Sequence, residues 1–173
     1  MQAKRRFERM ANEHGFYIRK YHGNNGVFAT ASFCSSCELL NQAIDFSGVG
    51  AKHQNDIAER MIGTITRRAL TMLIHAIRLW PDVITEDLWP FALKLAVDIH
   101  NSAPTISGLS PDEIFSGHKS TKNRFRDYHP FGCPVFVLEA SLQDGHRIAK
   151  WKPRSRMGIY LGNLPNQMLP RFL

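Results

Sequence analysis

The apolar and polar positions of the 173-residue chain change period several times. Residues 16–21, Phe-Tyr-Ile-Arg-Lys-Tyr, alternate and are rich in aromatic and β-branched side chains, which predicts a strand ending at the turn signal His22-Gly23-Asn24-Asn25-Gly26. Phe33, Cys37, Leu40 and Ala43 recur at spacings of three and four, predicting a helix over 32–43 and then a short strand around 44–46. The strongest periodicity runs from Asp56 to Leu79, where Ile57, Met61, Ile65, Ala69, Met72, Leu73 and Ala76 form one face of a long helix and the other face is basic. Asn55 or Asp56 can cap it, and Trp80-Pro81 ends it.

A second helix is predicted from about Glu86 to His100, with Leu88, Ala92, Leu95, Ala96 and Ile99 inward; Pro90 beyond its first turn calls for a kink or a later start. Ser110-Pro111-Asp112-Glu113 combines a cap, a first-turn proline and a third-position Glu, and Gly117 stops the short helix that follows. Residues 118–130 are polar and basic, as a linker would be. Residues 133–138 and 157–161 then read as strands separated by a basic loop. The expected class is α/β moving into β, with a main domain over 1–117, a linker over 118–130 and a small β domain over 131–173. Two or three strands are too few for an independent sheet.

Composition narrows the classes. With 43% apolar residues the chain can build a core, and its 12 Gly and 9 Pro are ordinary usage, so disorder and low complexity are excluded. Three cysteines cannot close a disulfide framework, which makes a reducing compartment the expectation. No apolar run reaches membrane-spanning length, and residues 1–9 are too charged for a secretory leader. The net charge is +7, and it is uneven: +4 over residues 1–20, −4 over 21–117 and +6 over 118–160. Basic blocks of this kind suit a surface that meets phosphates, or simply a solvated face.

Glu59 in the first turn of the long helix would by itself only complement the helix dipole. Its setting adds more. A strand ends at Tyr21-His22-Gly23-Asn24-Asn25-Gly26-Val27-Phe28, and about 35 positions after Asn24 comes Glu59, within Gln54-Asn55-Asp56-Ile57-Ala58-Glu59-Arg60. In this the chain resembles the integrases of copia-type retrotransposons, members of the ribonuclease-H-like D-D-E polynucleotidyl transferases. Their strand ends in Asp-Asn-Gly, and their long helix opens with Gln-Asn-Gly-(Val/Ile)-Ala-Glu-Arg; Asp56 stands here at the Gly position. Leu88-Trp89-Pro90 through Asn101-Ser102-Ala103-Pro104, and Ser110-Pro111-Asp112-Glu113-Ile114-Phe115, are similar to the family's later helices. Phe131-Gly132-Cys133 and Gly158-Ile159-Tyr160-Leu161-Gly162 are similar to the opening of its SH3-like C-terminal barrel.

The resemblance implies integration of element DNA by metal-dependent phosphoryl transfer, with DNA as partner, no membrane, Mg²⁺ or Mn²⁺ as cofactor, and nuclear residence; otherwise the chain is expected in the cytoplasm and not secreted. The catalytic and metal-binding positions would be Glu59 and Asn24. Two divalent cations roughly 4 Å apart assist in-line transfer, and such hard ions require anionic oxygens. The family's first Asp lies upstream of Arg5, before this chain begins, and its second is Asn24 here, an amide that offers a carbonyl oxygen without charge. Cation binding is therefore expected to be weak or absent, and the polypeptide catalytically inactive. Asp45 and Asp56 are poor substitutes: capping accounts for Asp56, and a turn after the strand for Asp45.

Lys52, His53, Gln54, Asn55, Arg60, Arg67 and Arg68, at the start or outer face of the long helix, are expected to meet DNA, as are Lys150, Lys152, Arg154 and Arg156 around Trp151, on a strand or loop. Ordinary helix solubilisation or a half-exposed strand would also explain them. Cys34-Ser35-Ser36-Cys37 has metal-ligand spacing but lacks a second pair, so buried thiols are the expectation. His22 and His53 flank the expected acidic cluster and can be solvated or orient a phosphate. Missing core strands would leave backbone groups unpaired, favouring marginal stability or homo-oligomers. Two further readings remain: a domesticated protein-interaction or DNA-binding module, and one piece of an active polyprotein whose upstream frame encodes the missing strand.

Overall fold

The structure is a computed structural model that describes residues 2–48, 55–119, 128–139, 142, 145, 147, 149–163 and 170–172. Among these the architecture is mixed α/β, with five helices and two small sheets. The chain divides into two compact units, Met1–Gly63 and Thr64–Leu173.

In the first unit, α1 (Gln2–Glu13) precedes β1 (Lys20–Gly23), a single 3-10 turn (Val27–Ala29), α2 (Ala31–Glu38) and β2 (Ala43–Phe46). The two strands are parallel, with Lys20 opposite Ala43 and Gly23 opposite Phe46, and α2 lies in the crossover that a parallel pair requires. The strand expected over 16–21 begins only at Lys20, because a ladder exists only where a partner backbone runs alongside, and β2 has four residues. The helix expected over 32–43 stops at Glu38. Asn41 adopts φ 51°, and the amides of Asn41 and Gln42 bond back to the carbonyls of Glu38 and Cys37, a left-handed stop for which Asn is a common choice.

A ring of aromatics packs this unit: Phe33 meets Tyr21 and Phe28 edge to face at 5.4 and 5.3 Å. A Cβ on Gly23 would stand 2.7 Å from Phe28 Cδ2, so only glycine lets that ring sit against the strand end. The rest of the cohesion is polar. Lys4 Nζ, buried, reaches Glu8 Oε1 at 2.7 Å and Gln42 Oε1 at 2.8 Å. Gln42 Nε2 donates to Glu8 Oε1 (2.7 Å) and to the Ile18 carbonyl (3.0 Å), while Tyr21 Oη donates to Glu8 (2.9 Å). Burial pushes the Glu8 carboxyl up, but the hydrogen bonds from Lys4, Gln42 and Tyr21 outweigh it and hold the group below the usual carboxylate range. Burial, with Glu8 as acceptor, pushes the Tyr21 hydroxyl well above its ordinary value.

The second unit continues α3 (Asp56–Leu79), whose bounds match the periodicity, and adds a 3-10 turn (Glu86–Leu88), α4 (Trp89–Ser102) and α5 (Pro111–Ser116). Pro90 lies in the first turn of α4, where its missing N–H costs nothing, so the second helix starts late rather than kinking. Ser110 and Glu113 form the expected capping box, Ser110 N donating to Glu113 Oε2 at 2.8 Å and Glu113 N to Ser110 Oγ at 3.2 Å, and Gly117 closes α5 at φ 68°. The sheet is antiparallel in the order β3 (Pro134–Leu138), β4 (Ser155–Asn163), β5 (Pro170–Phe172).

One apolar core joins all of these: Ile65, Ala69, Leu73 and Ala76 from α3, Ile84, Ala92, Leu95 and Ala96 around α4, and Phe131, Tyr160 and Leu161 from the β region. Gly132 belongs to it, since at φ 76° its amide bonds the Tyr160 carbonyl at 2.8 Å while a Cβ would press on Ala76 at 3.0 Å. Contacts therefore cluster across the composition boundary at 118–130, of which 120–127 lie outside the described residues; Tyr128 packs on the core and its hydroxyl lies 3.1 Å from Ser102 Oγ. No helix among the described residues is long and apolar enough to cross a membrane.

Candidate functional site

Asn24 follows β1 directly, exposed, because the strand ends where its partner does. Its Oδ1 accepts the Gly26 amide at 3.3 Å, an Asx turn that uses the side-chain oxygen locally. Glu59 lies in the first turn of α3, also exposed, one residue before exposed Arg60. Asn55, half-buried, immediately precedes the helix; Lys52, His53 and Gln54 lie outside the described residues.

Asp45 corrects the sequence reading: it lies within β2, not in a turn after it, because the β1 register extends the ladder through Phe46. Its carboxylate pairs with Lys20, and it faces exposed His22 across the register. The basic N-terminal block is likewise not wholly presented to solvent, since Lys4 is buried, and the exposed Lys20 has its charge paired with Asp45. Cys37 is fully buried on the apolar stripe of α2, where burial pushes its thiol up, and Cys34 is half-buried with Sγ 3.8 Å from the Phe28 carbonyl.

Among the described residues no hydrogen bond or ion pair links Asn24 with Glu59, and no three His, Cys, Asp or Glu side chains gather closely enough to hold a metal ion. The donor set is one carboxylate on Glu59, a neutral amide whose oxygen is engaged by Gly26, and a carboxylate on Asp45 tied to Lys20. Among the described residues this donor set does not fit a pair of Mg²⁺ or Mn²⁺ ions, which require several converging oxyanions.

The second unit holds a different arrangement. Thr64, Arg67, Arg68 and Thr71 recur at helical spacing on α3 and border a surface hollow of about 400 Å³ whose floor is Met72, Ala96 and Ile99. Arg67 Nη2 reaches Thr64 Oγ1 only at 3.5 Å, and Arg68 Nη1 lies 3.5 Å from His100 Nδ1 on α4. Both contacts are at the weak limit of hydrogen bonding. Among the described residues no acidic side chain lines the hollow. Two guanidiniums with spare donors above an apolar floor can take up a phosphate. Arg67 and Arg68 were legible as basic positions in the sequence; Thr64, Thr71 and His100 were not singled out, although the 64/67/68/71 spacing on a helix already aligns the first two with the arginines.

Lys150, Lys152, Arg154 and Arg156 are all exposed. Of the four only Arg156 lies on β4, opposite Val137; the others occupy the preceding turn, where Lys150 Nζ sits 5.6 Å from the ring centre of Trp151, itself 90% exposed. A cation beside an open indole face suits both a backbone phosphate and a stacked base. No family model matches the chain, and no curated protein matches it by sequence.

Proposed function

We propose that this chain is an integrase of the copia type, with ribonuclease-H-like core residues followed by SH3-like residues, and that with Asn24 at the second acidic position it binds DNA and does not catalyse its transfer. One observation carries the reading: Asn24 follows the first strand of a parallel β-α-β unit, and Glu59 opens a 24-residue helix. This is the local architecture in which the D-D-E family places its second and third acids, with the carboxylate at the second replaced by an amide. The motif order along the chain supports the same assignment, and the Arg67/Arg68 hollow and the basic turn around Trp151 supply phosphate contacts without chemistry. Nuclear residence follows from the same assignment.

Fluorescence anisotropy with a labelled DNA duplex tests the binding half. The binding constant should fall steeply with salt, and Arg67→Ala and Arg68→Ala should each lower the slope of log K against log salt by about one. A binding constant indifferent to salt would exclude phosphate contacts. Incubation with end-labelled DNA and Mg²⁺ or Mn²⁺ tests the other half: no cleaved or joined product is expected, and a product abolished by Glu59→Gln would refute inactivity.

A further inference from the structure

We propose that Cys34 and Cys37 are an oxidant-sensing thiol pair: a peroxide oxidises Cys34, Cys37 closes a disulfide onto it, and the closure loosens the Met1–Gly63 unit. Both thiols are free, and both lie on α2, the crossover helix between the parallel strands β1 and β2. Residues three apart on a helix share a face, with Cα atoms about 5 Å apart, inside the roughly 4.4 to 6.8 Å that a disulfide spans. The two sulfurs differ in what reaches them. Cys34 closes the first turn of α2, half-buried, with Sγ 3.8 Å from the Phe28 carbonyl, a weak contact that rotation about χ1 releases. Cys37 is fully buried, and a helical side chain leans over the turn before it, which sends this sulfur towards Cys34. Burial pushes the Cys37 thiol up and the Lys4 ammonium pulls against it, so this sulfur waits as a thiol. An accessible sulfur one turn from a shielded one divides the work between an attacking and a resolving cysteine. Among the described residues no third His, Cys, Asp or Glu joins them, so the pair lacks the ligands of a structural zinc site.

The chemistry balances with hydrogen peroxide as oxidant. The Cys34 thiolate attacks one peroxide oxygen, the O–O bond breaks, and the departing hydroxide takes up the former thiol proton as water, leaving a sulfenic acid. The Cys37 sulfur then attacks the Cys34 sulfur, the S–O bond breaks, and a second water leaves with the Cys37 proton. Two thiols thereby give two electrons and two protons to one peroxide. The closure has a structural consequence. Cβ atoms one turn apart on a helix are roughly 5 to 6 Å apart, against roughly 3.5 to 4.5 Å across a disulfide, so the bond forms only as the first turn of α2 gives way. That turn carries Phe33, the ring that Tyr21 and Phe28 meet edge to face, and the Cys37 carbonyl holds the Leu40 and Gln42 amides. Tyr21 and Gln42 both donate to Glu8, so one bond pulls on the aromatic ring and on the polar network together.

Hydrogen peroxide treatment of the reduced full chain, followed by alkylation and mass spectrometry, tests this. Trypsin leaves Cys34 and Cys37 on one peptide, residues 21–52, and Cys133 on another, which makes Cys133 an internal reference. Peptide 21–52 should lose two hydrogens at least about tenfold faster than Cys133 is modified, and dithiothreitol should restore them. In the same oxidised sample, hydrogen exchange at the β1 and β2 amides should quicken severalfold and return on reduction. In Cys37→Ala, Cys34 should stop as a sulfenic acid that dimedone captures; in Cys34→Ser, the Cys37 thiol should survive the same exposure. If Cys37→Ala loses its native circular dichroism, phenylarsine oxide, which bridges paired thiols, replaces it, and one arsenical on peptide 21–52 of the parent chain is expected. Oxidation spread evenly over the three cysteines, Cys34 driven to sulfinic acid with Cys37 still a thiol, disulfides only between chains, unchanged exchange after closure, or no bridging arsenical would each overturn the proposal.

Discussion

The two units reach cohesion by different means. Thr64–Leu173 buries a contiguous apolar cluster in which Leu95, Ala96, Tyr160 and Ile84 are at most 1% exposed. Met1–Gly63 has only Ala11, Phe33 and Cys37 as buried apolar side chains among its described residues, and it ties α1 to its two strands through Lys4, Glu8, Tyr21 and Gln42. Apolar packing tolerates imprecision, because a displaced methyl group still lies against other carbon. A charged network fails as a whole once one partner is removed, because the others keep their desolvation cost.

The largest test of this contrast is Leu95→Ala, expected to cost about 3 kcal/mol through lost burial and a cavity beneath Gly162. Trp80, Trp89 and Trp151 all belong to the second unit, so their fluorescence during urea unfolding reads that unit by itself. Lys4→Ala should cost the first unit a comparable but smaller amount, about 2 to 3 kcal/mol, by stranding Glu8 and Gln42. Hydrogen exchange at the β1 and β2 amides follows it. The contrast sharpens in the double variant: Lys4→Met with Glu8→Met should cost less than Lys4→Ala alone, and the idea of a coupled network fails if the two changes simply add.

Smaller effects come next. Ser110→Ala removes one half of the α5 capping box and should cost about 1 kcal/mol, visible in the tryptophan-detected midpoint. Acid gives the least. Because the folded state holds the Glu8 carboxyl below its ordinary value, the stability it contributes is complete above the unfolded pKa and is lost as pH falls through the folded one. The stability gap between the parent chain and Glu8→Gln should therefore narrow steadily from pH 6 to pH 3, and a gap independent of pH would show that the ionised form contributes nothing.

Legibility in the sequence followed the same divide. The long helix α3, the late start of α4 and the capping box of α5 were readable because each rests on local periodicity or local chemistry. Helix α1 was not foreseen, since its buried Lys4 reads as surface charge until Gln42 and Glu8, distant in sequence or one turn away, enclose it. The early stop of α2 depends on Asn41 adopting a left-handed conformation, which a helical pattern of apolar residues does not reveal. Ile57 and Met61 continue the apolar stripe of α3 yet stand exposed, so periodicity identified the helix without locating what faces its first turns. In the candidate site Asn24, Glu59, Arg67 and Arg68 were visible as residue types in order, whereas the Asx turn, the Asp45–Lys20 pair and the hollow with His100 arise only from tertiary neighbours.

The turn at Asn24 has one last implication. Asparagine and aspartate both present an oxygen to the amide two residues on, so the turn forms equally well with either. Asparagine in place of aspartate therefore keeps this turn while removing a negative charge. Cellular surveillance that discards unstable polypeptides is blind to such a change, so the charge at this position is free to vary at no cost to the scaffold.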